Sequence, residues 1–160
     1  MRAKILVFSD ACARGERVDL SGPALRELLE ARGWHVAAIE ILPDDFDTIR
    51  QRLESLTEAD ECDAVVTAGG TGVGPRDVTP EATRAVVEKE IPGLAELMRA
   101  EGVQKTRRAA LSRGVVGVRK GRLIVNLPGS PRGARESIES IVDLLPHVVD
   151  LIQGRTAHSD

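Results

Sequence analysis

The chain has 160 residues, of which 42% are hydrophobic and 29% charged, a composition that suits one globular domain and excludes disordered or fibrous proteins. The formal net charge is -3 and aromatic residues make up only 2%, so the chain has neither the charge of a nucleic-acid-binding protein nor stacking platforms for single strands. We therefore expect residues 1 to 160 to form one domain with an aliphatic core and no nucleic-acid partner.

The first half of the chain alternates strand and helix patterns. The apolar run at 4–8 predicts a strand buried in a parallel sheet. A helix is predicted from Ser21 or Gly22, with Pro23 in its first turn and Gly33 as its stop. A strand at 34–42, a helix after Pro43 and a second buried strand at 64–68 follow. This alternation predicts an α/β fold with three layers, α/β/α, around a mostly parallel central sheet.

The second half contains less regular signals. We expect Thr79 to cap a helix that begins at Pro80 and runs to about Glu90. A further helix is predicted near Pro92, and the apolar runs at 115–118 and 122–126 form a hairpin around Lys120-Gly121. The last helix is predicted over 133–152, with a kink at Pro146.

No signal peptide and no apolar run of the ~20 residues needed for a membrane span is readable, which predicts a cytoplasmic protein without a membrane partner. Cys12 and Cys62 lack metal or redox spacing and are expected to be reduced thiols. His35, His147 and His158 show no ligand spacing, so no histidine metal site is predicted.

Charge is distributed unevenly along the chain. No acidic residue occurs from 102 to 135, whereas this stretch carries nine basic residues: Lys105, Arg107, Arg108, Arg113, Arg119, Lys120, Arg122, Arg132 and Arg135. Such a stretch in an acidic protein favours a site for a small, multiply charged anion. A solvated basic face or a subunit contact is the alternative.

Ligands of parallel sheets bind beyond the carboxyl ends of the strands, which directs attention to the loops 9–21, 43–45 and 69–79. The glycine run at 69–74 would let backbone amides approach a phosphate, although it matches neither the Walker nor the dinucleotide motif. Asp44 and Asp77 could converge there and hold a Mg²⁺ ion. The alternative is structural: Asp44 would cap the following helix, and Asp77 would complement the dipole of the next one.

Five segments together resemble the MogA/MoaB-type molybdopterin-binding family along nearly the whole chain. They are SDACARGERVDLSGPAL (9–25), LPDD (42–45), TAGGTGVGPRDVTPEAT (67–83), LSR (111–113) and VNLPGSP (125–131). The resemblance implies Mg²⁺-dependent transfer of AMP from ATP to the molybdopterin phosphate, with release of pyrophosphate. It also implies a homotrimer, or in some members a hexamer, and a separate molybdate-inserting protein as partner. A non-catalytic molybdopterin-binding carrier, scaffold or regulatory paralogue is the alternative.

The resemblance assigns catalytic and metal-binding roles to Asp44 and Asp77. It implies substrate contacts for residues in the same segments: Ser9, Asp10, Asp19, Ser21, Gly22, Gly69, Gly70, Thr71, Gly72, Ser112, Arg113, Asn126, Pro128, Gly129 and Ser130. From the charge pattern, we expect Arg113, with Arg132 as a second candidate, to reach the anionic ligands. Arg119 and Arg122 flank the hairpin turn and are expected to face solvent.

Overall fold

The computed structural model describes residues 1–155, which build a six-stranded sheet with helices on both faces. The strands are β1 (Arg2–Phe8), β2 (His35–Leu42), β3 (Ala64–Ala68), β4 (Lys89–Glu90), β5 (Val116–Arg119) and β6 (Arg122–Leu127). They lie in the order β2-β1-β3-β6-β5-β4, and the first four of that order are parallel. β5 runs antiparallel to β6, and β4 antiparallel to β5. The predicted α/β fold with a mostly parallel sheet is confirmed.

Seven helices occur in residues 1–155: α1 (Asp10–Ala13), α2 (Ser21–Ala31), α3 (Phe46–Glu58), α4 (Thr79–Arg84), α5 (Pro92–Lys105), α6 (Pro131–Glu139) and α7 (Leu145–Ile152). A 3-10 turn spans Arg107–Leu111. Successive strand residues point to opposite faces, so Ile5 packs in one hydrophobic cluster and Leu6 in the other. The first cluster includes residues of α2, α5, α6 and α7, and the second includes residues of α3 and α4, which gives the three predicted layers.

The predicted hairpin between β5 and β6 is confirmed. Lys120 and Gly121 have φ angles of 48° and 72°, both in the left-handed region. Two consecutive residues of this kind form a type I′ turn, whose twist matches that of the paired strands.

Two expectations about α4 are wrong. The helix ends at Arg84 instead of continuing to about Glu90, because Lys89 and Glu90 pair with β5 as an edge strand. Thr79 also does not cap the helix: its hydroxyl donates to the carbonyl of Gly69 at 2.9 Å. The buried Thr79 therefore ties α4 to the end of β3.

The predicted last helix is two helices. α6 ends at Glu139, and Pro146 lies in the first turn of α7. Proline lacks an N–H donor and its ring collides with the carbonyl four residues earlier, so here it interrupts the helix instead of kinking it. The apolar stripe nevertheless stays buried on both sides of the break, at Ile138, Ile141, Leu145 and Val149. No helix within residues 1–155 is both long and apolar enough to cross a membrane.

Candidate active site

The carboxyl ends of the four parallel strands meet at one edge of the sheet, where a cleft of about 470 Å³ opens. Its walls come from the loops after β1, β2, β3 and β6, so the three loops singled out in the sequence do converge. Nine of the expected site residues line it: Ser9, Asp19, Ser21, Asp44, Gly69, Gly70, Asp77, Gly129 and Ser130.

The floor of the cleft is backbone. Gly69 has a φ of +109°, and a Cβ atom at this position would lie 2.1 Å from the carbonyl oxygen of Phe8. The N–H of Gly69 donates to the carbonyl of Leu127 at 3.0 Å, and a Cβ on Gly129 would lie 3.2 Å from the Cα of Gly69. Glycine is therefore required at position 69, and position 129 leaves little room for a side chain, where the ends of β1, β3 and β6 approach one another.

A hydrogen bond joins two walls of the cleft, because the hydroxyl of Ser21 donates to the carbonyl of Gly129 at 2.8 Å. The carboxylate of Asp19 accepts from the N–H groups of Ser21 and Gly22, at 2.9 Å and 3.1 Å. A Cβ on Gly22 would lie 2.4 Å from Asp19 Oδ2. Asp19 thus fixes the start of α2 while it lines the cleft.

Asp44 does not cap α3. The cap is its neighbour Asp45, whose Oδ2 accepts from the N–H of Thr48 at 2.9 Å. The Asp44 carboxylate instead accepts from the N–H of Asp10, and the Asp10 carboxylate accepts from the N–H of Asp44, both at 3.0 Å. Burial raises the pKa of Asp44, and the negative charges of Asp10 and Asp77 raise it further. An ionised carboxylate held in this position favours a cation beside it.

Asp77 lies in the loop 69–79, called here the glycine loop, two residues before α4, and the cap position of that helix is Val78. Its Oδ2 accepts from the N–H of Gly74 at 2.8 Å. A Cβ on Gly72 or on Gly74 would lie 2.9 Å from the same oxygen. The absence of side chains at these two glycines leaves room for the Asp77 carboxylate against the backbone.

A second cavity of about 330 Å³ adjoins the cleft. It is lined by the expected site residues Thr71, Gly72, Ser112 and Pro128, and it shares Gly129 and Ser130 with the cleft. Ala109 and Leu111 add apolar surface to its wall. The sequence motifs therefore build two neighbouring cavities with a common boundary.

Asp10, Gly22, Arg113 and Asn126 line neither of these two cavities. Asp10 forms an ion pair with Arg76, whose Nε and Nη2 donate to it at 3.0 Å and 3.1 Å and lower the pKa of its carboxyl group. Asn126 is 1% exposed and hydrogen-bonded inside the core.

The guanidinium of Arg113 holds the glycine loop through hydrogen bonds to its main-chain carbonyls. Its Nε donates to the carbonyl of Gly72 at 2.7 Å and its Nη2 to the carbonyl of Asp77 at 2.9 Å, while Nη1 pairs with Glu81. The N–H of Arg113 also donates to the carbonyl of Thr71 at 2.8 Å. The bonds to Thr71, Gly72 and Asp77 fix the loop that carries Asp77, and the pair with Glu81 joins Arg113 to α4.

The expectation that Arg119 and Arg122 face solvent is wrong. Their side chains are only 17% and 16% exposed and pair with Glu58 and Asp60, which come from the end of α3 and the residues after it. Arg132 pairs with Glu136 on its own helix and Arg135 with Glu139. Acidic residues from elsewhere thus neutralise much of the basic stretch.

Sequence reasoning overlooked Arg17, the one cationic side chain that lines the cleft among residues 1–155. It lies in the segment 9–25 that carries the resemblance, but outside the acid-free stretch that drew attention to positive charge. A search for basic residues within the cleft loops would have found it.

The described residues contain no group of three or more His, Cys, Asp or Glu side chains placed to hold a metal ion. His158 lies outside those residues. Cys12 and Cys62 are free, as expected.

Comparison with known proteins shows which family the chain belongs to. Residues 4–147 match the family model described as "Probable molybdopterin binding domain". A Helicobacter pylori (strain J99) protein named molybdopterin adenylyltransferase is 42% identical over 155 residues, covering 94% of this chain and 86% of the relative. The Drosophila melanogaster molybdenum cofactor synthesis protein cinnamon is 44% identical over 149 residues, which cover 92% of this chain but 25% of that protein.

The crystal structure of the molybdopterin biosynthesis enzyme MoaB from Thermus thermophilus superposes with a TM-score of 0.90. The two chains are 51% identical, and the match covers 96% of each. The family model and these relatives extend along nearly the whole sequence, and the chain therefore belongs to the MogA/MoaB-type molybdopterin-binding family.

Proposed function

We propose that this protein is a molybdopterin adenylyltransferase of molybdenum cofactor biosynthesis. The observation that carries the proposal is that Asp44 and Asp77 line one cleft beside glycine backbone, while neither caps the helix that follows it. The names of the bacterial relatives support the same activity. In this reaction an oxygen of the molybdopterin phosphate attacks the α-phosphorus of ATP. The bond from that phosphorus to the bridging oxygen breaks, and pyrophosphate leaves.

The charges of the cleft support a divalent cation as part of this activity. Among residues 1–155, three carboxylates, those of Asp19, Asp44 and Asp77, line the cleft against one guanidinium, that of Arg17. Polyanionic substrates would be repelled by this balance unless a cation compensated it. Asp44 and Asp77 are the residues that would hold Mg²⁺, which prefers carboxylate and phosphate oxygens. When bound, the ion would neutralise phosphate charge as pyrophosphate departs.

Two adjoining cavities suit a reaction that joins two substrates. We place the reacting phosphates in the cleft, where the carboxylates and the glycine backbone lie. The cavity beside Leu111 and Ser112, with its apolar wall, would take the ring system of one substrate. The shared boundary at Gly129 and Ser130 would then lie near the point where the substrates meet.

The test compares Asp44→Asn and Asp77→Asn with wild type by following pyrophosphate release from Mg-ATP in the presence of molybdopterin. Each change keeps the shape of the side chain but removes a charge, so the rate should fall about a hundredfold or more. Asp45→Asn is the matched control, because Asp45 is adjacent to Asp44 in sequence but caps α3 and does not line the cleft. Asparagine also caps helices well, so this control should keep wild-type activity and stability.

Wild-type turnover in both cleft variants would refute the assigned roles. A wild-type protein that binds molybdopterin and ATP without releasing pyrophosphate would instead identify a carrier or regulatory paralogue.

We further propose a homotrimer, with a hexamer as the alternative, and a separate molybdate-inserting protein as partner. Light scattering after size exclusion would give about three or six times the chain mass of 17.2 kDa. A monomer at micromolar concentration would contradict the proposed assembly. The cytoplasmic location remains a prediction from the sequence.

A further inference from the structure

Arg17 differs from the neighbouring arginines in the group to which its guanidinium is hydrogen-bonded. Its Nη2 donates to the hydroxyl of Ser9 at 3.0 Å, and no carboxylate in residues 1–155 forms an ion pair with it. Nearby, Arg14 pairs with Glu16 and Arg76 pairs with Asp10. The charge of Arg17 is therefore uncompensated, although three carboxylates line the same cleft.

Ser9, the hydrogen-bond partner of Arg17, is held in place by two further hydrogen bonds. The hydroxyl of Ser9 also accepts from the N–H of Cys12 at 3.2 Å as the cap of α1, and the N–H of Ser9 donates to the carbonyl of Leu42 at 2.9 Å. One guanidinium N–H is thus used for a neutral hydrogen bond that holds the side chain at the cleft. A guanidinium has five N–H donors, so four remain for a ligand.

We propose that Arg17 binds a phosphate group of the ligand that occupies the cleft. A guanidinium presents two parallel N–H donors that match two oxygens of a phosphate. It is also less strongly hydrated than the ammonium group of lysine, so it loses less hydration when it binds phosphate. An incoming phosphate need not displace a carboxylate of residues 1–155 from Arg17, because none of them is paired with it. The proposal rests on the proposed function in expecting ATP or molybdopterin as the source of that phosphate.

The residues that follow Arg17 indicate the class of ligand. Val18 and Leu20 also line the cleft, yet they are 78% and 64% exposed. Aliphatic side chains left open to water beside an uncompensated cation fit a molecule that carries an apolar ring together with phosphate. Both the nucleotide and the pterin phosphate have this character.

The experiment measures binding by calorimetry for wild type, Arg17→Gln and Arg14→Gln, with Mg-ATP, with magnesium pyrophosphate and with molybdopterin as separate ligands. Arg14 is the matched control because it lies in the same loop, is exposed and does not line the cleft. Arg17→Gln should weaken at least one ligand about tenfold to a hundredfold, the usual effect of losing a hydrogen bond to a charged group. Arg14→Gln should bind all three as wild type does.

The pattern of losses identifies the phosphate. Weaker binding of both ATP and pyrophosphate assigns Arg17 to the leaving group, whereas weaker binding of molybdopterin alone assigns it to that phosphate. Arg17→Lys should recover part of the loss, since it keeps the charge without the paired donors. Unchanged melting temperatures would show that the variants fold.

Equal binding of every ligand by wild type and Arg17→Gln would overturn the proposal, as would equal losses in the Arg14 control or a wild type that binds none of the three. The result does not depend on turnover. If wild type releases no pyrophosphate but Arg17→Gln still loses affinity, the proposed reaction fails and the phosphate contact stands.

Discussion

Replacing Asn126 by alanine tests whether this residue supports the site from inside the core instead of contacting substrate. The Asn126 Oδ1 accepts from the N–H of Val115 at 3.1 Å. Its Nδ2 donates to the hydroxyls of Thr67 and Thr83, at 3.1 Å and 3.0 Å. The side chain thus links β6 to β3, to α4 and to the residue that precedes β5.

The cost of the change follows from these three hydrogen bonds. Val115 is 2% exposed, so its N–H would be left buried without the acceptor, at a cost of ~1–3 kcal/mol. The two threonine hydroxyl oxygens each lose an N–H donor, while their own O–H groups can still donate, which adds roughly 1 kcal/mol. We expect Asn126→Ala to lower the free energy of unfolding by about 3 kcal/mol, or the melting temperature by about 6–12 °C.

Thermal and denaturant unfolding measure this loss, and calorimetric titration with Mg-ATP and molybdopterin at a temperature where the variant is folded measures binding. We expect the dissociation constants to stay within about twofold of wild type, because Asn126 lines neither large cavity. A variant with unchanged stability and a tenfold loss of affinity would refute this reasoning and return Asn126 to the substrate contacts.

Three further predictions concern Asp45, Asp44 and Arg113. Asp45→Ala removes the cap of α3 and should lower stability by about 1 kcal/mol without changing pyrophosphate release, and a loss of activity at unchanged stability would contradict this. Because the pKa of Asp44 is raised in the folded state, the ionised carboxylate destabilises the folded protein, and this cost is complete once the pH has risen through that pKa. Below the pKa that Asp44 has in the unfolded chain, the carboxyl group is protonated in both states and the cost is absent. Asp44→Asn should therefore be more stable than wild type near pH 7, with no gain near pH ~3, as denaturant melts at both pH values would show. Arg113→Lys loses the paired donors that hold the loop of Asp77 and should raise the Mg²⁺ concentration needed for half-maximal pyrophosphate release, whereas Arg84→Lys, at an exposed ion pair with Glu90, should not.

The parts of the fold that sequence predicts well are those fixed by local pattern. The predicted strand at 64–68 has the same bounds as β3, because a short run rich in β-branched residues and followed directly by two glycines is typical of a buried strand. The convergence of the loops around Asp44 and Asp77 follows from the rule that parallel strands end at one edge. The short edge strand after α4 was missed because it depends on pairing with β5, which local propensity does not contain.

Side-chain partners are the part that sequence could not supply. Arg119 and Arg122 meet Glu58 and Asp60 across 61 and 62 residues of chain, so alternation along the hairpin could not reveal that they are paired and largely covered. The role of Arg113 could not be predicted for the same reason, because the carbonyls that it binds, those of Gly72 and Asp77, lie 41 and 36 residues away in the sequence.

The backbone floor of the cleft restricts how ligand preference could diverge among variants of this chain. No side chain larger than hydrogen fits at Gly69, so variants that keep this fold must keep glycine backbone at this position of the cleft. Within the cleft, changes of preference are then expected at the rim, where Arg17, Val18 and Leu20 are open to solvent. Randomising those three positions would sample new ligand preferences on an intact scaffold, whereas randomising the floor would mainly sample unfolded chains.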